Sequence, residues 1–348
     1  MFEVCVKKLL NFIVIALGVT SLMLTLQSKL HASEVHAHDP VMVKSDNKYY
    51  LFTTGKGISF YESTNMLDWK PLKPVFDSSP KWIESIVPNF DGHMWAPDIY
   101  FESGTYYLYY SISAFGKNTS AIGVVTNKTL DSSSDNYKWI DHGKVIQSIP
   151  NRDLWNAIDP NIIKDEKGDT WMSFGSFWSG IKLVKLAPSL TQISTPQIWH
   201  STAKRERSIL TNDLDAYPGA IEAPFIFKRG EFYYQFVSWD FCCRGVESTY
   251  KVVVGRSKQV EGPYLDKSGK SMDQGGGSIV LQGDKNWYGL GHNSIYEFDG
   301  VTKLVFHAYD ANDNGAPKLK IIDVDWSVDG WPKINNQDIV NYKSRLTK

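Results

Sequence analysis

The sequence predicts an all-β chain folded as a five-bladed β-propeller with four-stranded blades. Three observations carry this. Short β-type runs alternate with turn residues, and long amphipathic helical patterns are missing. One unit, a small polar-Pro opening followed by apolar and aromatic strands, recurs five times. The repeats keep the same internal phase, which an accidental likeness within a β-sandwich would not produce.

The units follow in order. The first opens at His38-Asp39-Pro40, the second at Trp95-Ala96-Pro97, the third at Ile158-Asp159-Pro160 and the fourth at Glu222-Ala223-Pro224. The fifth opens at Gly291-His292-Asn293-Ser294, with Ser294 read in the place of the proline. Second strands are predicted at Tyr49-Tyr50-Leu51-Phe52, around Tyr106 to Tyr110, at Trp171-Met172-Ser173-Phe174, around Phe232 to Phe236, and at Leu304-Val305-Phe306-His307. Third strands follow near Phe60, Val124, Leu183, Val253 and Ile321. A fourth segment bearing a Trp or Tyr closes most units, at Trp69, Trp139, Trp199, Tyr264 and Trp331. In a propeller the first strand of each blade lines the central channel, so the five openings converge on the axis.

Composition bounds the partners. The chain has 348 residues, a formal net charge of -1 and 14% aromatic residues. Near-neutral charge offers no phosphate-binding patch, so a nucleic-acid partner is not expected. Aromatic faces stack on sugars, bases and one another, so their abundance alone does not choose a ligand. Lys7 and Lys8 precede an apolar run over 9–26, and Ala32 follows a short polar stretch. That pattern reads as a secretory signal peptide over 1–32, ahead of a single propeller domain over 33–348. A retained signal anchor is the other reading; the run is at the short end for a spanning helix. Cys5 falls in the signal, which leaves Cys242 and Cys243. Being adjacent, they either close a strained ring with each other or stay reduced.

The openings bring Asp39, Asp159, Glu222 and His292 toward one axis. Hydrolysis of a glycosidic bond needs a carboxylic acid to protonate the leaving oxygen and a carboxylate to activate water or attack carbon. Crowded carboxylates raise one another's pKa and keep one protonated near neutral pH. One Asp-Pro alone reads as a strand entry; three carboxylates in phase read as chemistry. Asp98, past its proline, reads as structural.

The stretches His38-Asp39-Pro40, Trp95-Ala96-Pro97-Asp98, Leu154 to Asn161, Gly219 to Pro224 and Gly291 to Ser294 resemble those of family 43 glycoside hydrolases, most of all the arabinanases of that family. Asp240 to Gly245 and Gly262 to Lys270 support the likeness, which covers His38 to Pro332 in order. The resemblance implies a five-bladed propeller and hydrolysis of α-1,5-linked L-arabinan within the chain, with inversion; secretion follows from the signal-peptide pattern. It implies that Asp39 is the general base, Glu222 the general acid and Asp159 the residue that orients the site and tunes the acid. It also implies that His292 contacts a calcium ion on the axis whose other ligands are mostly water. Calcium prefers oxygen, so one imidazole is an unusual anchor.

The substrate-contact candidates are Trp95, Phe115, Gly116, Asn156, Ser176, Phe177 and Trp178. For Trp95, Phe115, Trp155 and Trp178, stacking on furanose rings and packing within blades both stand. Gly116, Asn156, Ser176 and Phe177 rest on the resemblance. A monomer acting on a polysaccharide, the arabinan side chains of pectin, is expected, with no membrane partner once the signal is cleaved. Two other functions stay open: a β-xylosidase or α-L-arabinofuranosidase of the same family, and a non-catalytic sugar-binding propeller. The last would repeat one site in every blade, whereas these openings differ.

Overall fold

The computed structural model describes residues 35–335 and Ile339. The signal-peptide reading over 1–32 lies outside the described residues. Among the described residues, no helix is long and apolar enough to cross a membrane.

Five antiparallel sheets follow one another along the chain. Blade one is built from Val41–Ser45, Lys48–Thr53, Ser59–Ser63 and Lys70–Pro71. Blade two comprises His93–Glu102, Thr105–Ile112, Ser120–Asn127 and Ile140–Ser148, joined at its inner edge by Gly55–Lys56. Asn161–Lys164, Thr170–Phe174, Ile181–Lys185 and Trp199–Ala203 form blade three. Ile221–Arg229, Phe232–Trp239, Lys251–Ser257 and Ser278–Gln282 form blade four. Blade five has Trp287–Phe298, Val301–Asp310 and Ala316–Asp323.

The fourth position of blade five is filled from the other end of the chain. The Ala37 amide donates to the Pro317 carbonyl, and the Leu319 amide to that of Val35. This pairing closes the ring and leaves no open edge between first and last blades. It also corrects one expectation. Trp331 does not lie in a fourth strand of blade five; it abuts the hairpin of Asp325–Trp326 and Pro332–Lys333. The Tyr264 segment does reach the outer edge of blade four: Leu265 pairs with Arg256 of the third strand, ahead of Ser278–Gln282, and Tyr264 itself is fully buried. Both are core aromatics, which in sequence look the same as strand aromatics.

The strand alternation explains the core. Successive side chains point to opposite faces, so each strand feeds the two junctions beside its blade. In blade four, Phe225, Tyr234, Phe236, Val252 and Val254 pack against blade five. Ile226, Tyr233, Val237 and Val253 pack against blade three. Five apolar clusters result, one at each junction. Polar side chains also cross the junctions: the Asp98 carboxylate accepts from the Ile162 amide at 2.7 Å, and Asn161 Oδ1 from the Ile226 amide at 2.8 Å. Asp98 is thus a blade tie, as expected.

Candidate active site

Each blade opening turns through a left-handed residue. Asp39 (φ 53°), Ala96 (43°), Asp159 (61°), Ala223 (54°) and His292 (48°) all have positive φ. Residues with a β-carbon enter such conformations at a cost on the order of 1–3 kcal/mol. Four of the five amides are held alike, by a side chain from the second strand of the preceding blade or just beyond it. The Ala96 amide donates to Thr54 Oγ1 at 2.8 Å, Asp159 to Ser111 Oγ at 3.0 Å, and His292 to Ser238 Oγ at 2.8 Å. The Asp39 amide donates to His307 Nδ1 at 3.2 Å. The Ala223 amide departs from this, donating to Asp159 Oδ2 at 3.1 Å.

This phase corrects the sequence alignment of blade five. His292 occupies the place of Asp39 and Asp159, so Asn293, not Ser294, stands in the proline position. The register slips between Gly291 and Ser294 just as it does between Trp95 and Asp98 and between Glu222 and Phe225, and the missing proline is what hides the match in sequence. Glu222 comes one residue before its blade's left-handed turn, as His38, Trp95, Ile158 and Gly291 do.

The three carboxylates and His292 line one cavity of about 700 Å³. Asp39 Oδ1 lies 2.9 Å from His292 Nδ1, and Thr54 donates its hydroxyl to Oδ2. Burial alone would raise the Asp39 pKa, but the charge and hydrogen bond of His292, then His38, hold it far below the usual carboxylate range. Asp39 is therefore ionised. Glu222 takes the opposite course. Burial first, then the Asp159 charge, push it up to about 8. Ser176 Oγ donates to Glu222 Oε2 at 2.6 Å and Tyr250 donates to Oε1. Asp159 lies between, pushed up to about 6 by burial, against the lowering charge of His292. One cavity thus holds a proton acceptor and a proton donor at neutral pH.

The predicted contact residues fall in the same region. Trp95 and Phe115 border this cavity and a smaller one that shares Glu222. Gly116, Asn156, Ser176, Phe177 and Trp178 line the smaller one. Phe115 is 78% exposed, so its ring face is not used up in packing. Trp178 is 8% exposed and donates to the Leu214 carbonyl. Asn156 Oδ1 is buried with no partner at the cavity wall, an acceptor suited to a ligand hydroxyl. Trp155 packs on Phe174 and Trp199, with centroids at 5.5 and 5.4 Å, as a blade aromatic.

Four lining residues, Thr54, Tyr250, Tyr217 and Phe241, and the buried His307 that holds the Asp39 amide were not singled out from sequence. Thr54, Ser111, Ser238 and His307 carry a readable signal, since each lies at the same place relative to a blade opening. Tyr250 and Tyr217 sit in loops and follow no repeat phase.

The surroundings of His292 suit a metal ligand. Its Nδ1 is held by the Asp39 carboxylate, which leaves Nε2 as the ligand atom and orients the ring as metal-binding histidines are oriented. Burial would lower its pKa, but Asp39, then Asp159 and Glu222, raise it to about 9, so a cation there would displace a proton. The arrangement fits one nitrogen ligand amid carboxylate charge. His38, Asp39 and His307 also bring ligand atoms within 4.8 Å, but His307 Nδ1 already accepts the Asp39 amide, and two imidazoles suit softer metals than calcium.

The family model described as glycosyl hydrolases family 43 matches residues 33–332. An extracellular exo-α-(1→5)-L-arabinofuranosidase of Cellvibrio japonicus is 55% identical over 91% of each chain. An extracellular endo-α-(1→5)-L-arabinanase of Bacillus subtilis is 44% identical, over 86% of this chain and 88% of its own. The solved structure of an α-L-arabinanase of Cellvibrio cellulosa complexed with arabinohexaose superposes with a TM-score of 0.87 at 55% identity, covering 89% of this chain and 98% of that one.

Proposed function

The chain belongs to glycosyl hydrolase family 43, and from that premise we propose that it hydrolyses α-1,5-linked L-arabinan by a single displacement with inversion. The supporting observation is the opposed protonation of Asp39 and Glu222 in one cavity. Glu222 delivers its proton to the glycosidic oxygen as the bond to the anomeric carbon breaks. Asp39 takes a proton from the water that attacks that carbon from the opposite face. Asp159 keeps Glu222 protonated through its charge, and its bond to the Ala223 amide fixes the turn beside Glu222. His292, oriented by Asp39, would hold a calcium ion through Nε2; when bound, the ion supplies positive charge that favours ionised carboxylates.

Trp95, Phe115, Gly116, Asn156, Ser176, Phe177 and Trp178 are assigned to the substrate cleft. The two cavities meet at Glu222, which leaves room for sugar on both sides of the scissile bond. Release of reducing sugar from linear arabinan tests the activity, and its absence would refute the assignment. The relatives above carry exo-acting and endo-acting names. For this chain we keep attack within the polymer, seen as a spread of oligomers from the first minutes. A single short product throughout would place it with the exo-acting relative. Secretion as a monomer is also proposed; N-terminal sequencing and sizing of exported protein check both.

A further inference from the structure

We propose that the Cys242–Cys243 disulfide is a sugar-contact platform on which one arabinofuranose ring of the polymer rests beside Glu222. The proposal rests on the arabinan reading above and names one contact of that cleft.

Cys242 and Cys243 are joined to each other. Cys242 borders both cavities, as Glu222 does, and Cys243 borders the larger. The pair thus marks the place where the two lobes of the cleft meet. Cys243 is exposed and Cys242 half-buried, so the sulfurs are not spent in a core.

Stability does not account for this bond. A disulfide stabilises mainly by closing a loop in the unfolded chain, and adjacent residues enclose almost none. The loop around it is fixed by other means. The Cys243 amide donates to the Tyr309 hydroxyl at 2.7 Å, Arg244 to Ser248 Oγ at 3.0 Å, and Thr249 to the Phe241 carbonyl at 2.8 Å.

Its surface chemistry does suggest a use. Two free cysteines would present rotatable thiols. The disulfide locks both side chains and offers polarisable sulfur with no strong donor. A rigid apolar surface of this kind suits the C–H face of a sugar and loses little entropy on binding. The apolar wall continues through Phe241, which stacks on Tyr217 at 5.8 Å and lies 6.0 Å from Phe177.

The test is steady-state kinetics of a Cys242→Ala, Cys243→Ala double variant on linear arabino-oligosaccharides, beside the wild type. Losing about 50–60 Å² of apolar contact should raise KM about tenfold. The value of kcat should stay within about threefold, because proton transfer at Glu222 is untouched. The melting temperature should hardly move. Wild-type protein reduced with a phosphine, its thiols counted, should show a smaller rise in KM, since the sulfurs stay but the rigid platform is lost, and the double variant should not respond. That arm decides the matter if the variant fails to fold. An unchanged KM with the disulfide absent would overturn the platform alone. A wild type that releases no sugar from arabinan would overturn the arabinan reading and the platform with it.

Discussion

Ser176 Oγ lies 2.6 Å from Glu222 Oε2, and the Tyr250 hydroxyl takes the other oxygen of the same carboxylate. The group assigned to give up a proton is therefore gripped at both oxygens. Its surroundings pull it two ways. Burial and the Asp159 charge favour the protonated form, while the Ser176 hydrogen bond favours the ionised one.

A pH–rate profile should report both influences. Activity needs Glu222 protonated, so it should fall as pH rises through about 8. Ser176→Ala removes a hydrogen bond to the charged form, so the fall should move to higher pH. Asp159→Asn removes a like charge, so the fall should move to lower pH, whatever happens to the plateau. Shifts in the reverse directions would remove Glu222 from the acid role.

Stereochemistry reports on Asp39. If Asp39 activates a water, the two carboxyl groups should stand about 6.5–9.5 Å apart in the bound enzyme. Proton NMR of the first product should show inverted anomeric configuration. Retention would make one of the carboxylates a nucleophile.

The blade-opening pattern predicts a stability effect away from the chemistry. Ser111 is fully buried, and its hydroxyl accepts the amide of the left-handed Asp159. Ser111→Ala leaves that buried amide unpaired and should cost about 1–3 kcal/mol in denaturant unfolding. A loss of stability too small to measure would mean that water replaces the hydroxyl.

The metal assignment can be tested on His292→Ala. Calcium content, measured on wild type and variant alike, should fall in the variant. Its pH profile should shift as well as its rate, since a cation there favours ionised Asp39. The fold should persist, because the apolar cluster at each junction forms without His292. Unchanged calcium would place the ion elsewhere, and an unchanged profile without calcium would make the ion incidental.

Much of this was legible in the sequence, for identifiable reasons. Strand alternation and the Pro-bearing openings report local backbone geometry, so blade count and the convergence of Asp39, Asp159 and Glu222 could be read directly. The true place of His292 could not, because Asn293 stands where the other four openings carry the proline that marks the phase. The closure of blade five by residues 35–37 was missed because it pairs segments at opposite ends of the chain. Trp331 departs from its expected strand because burial and strand membership leave the same aromatic signal. Tyr250, Tyr217 and Phe241 come from loops, where no periodicity points to the axis. The pairing of Cys242 with Cys243 was one of two states that adjacency allowed.

The account stands or falls on Glu222 as the proton donor. The direct measurement is hydrolysis by Glu222→Gln of linear arabinan and of an aryl arabinofuranoside with a good leaving group. On arabinan the rate should drop about 10²–10⁴-fold, because the departing sugar oxygen needs the proton. On the aryl substrate, whose leaving group departs unprotonated, the loss should be far smaller. Equal losses on the two substrates would contradict the assignment.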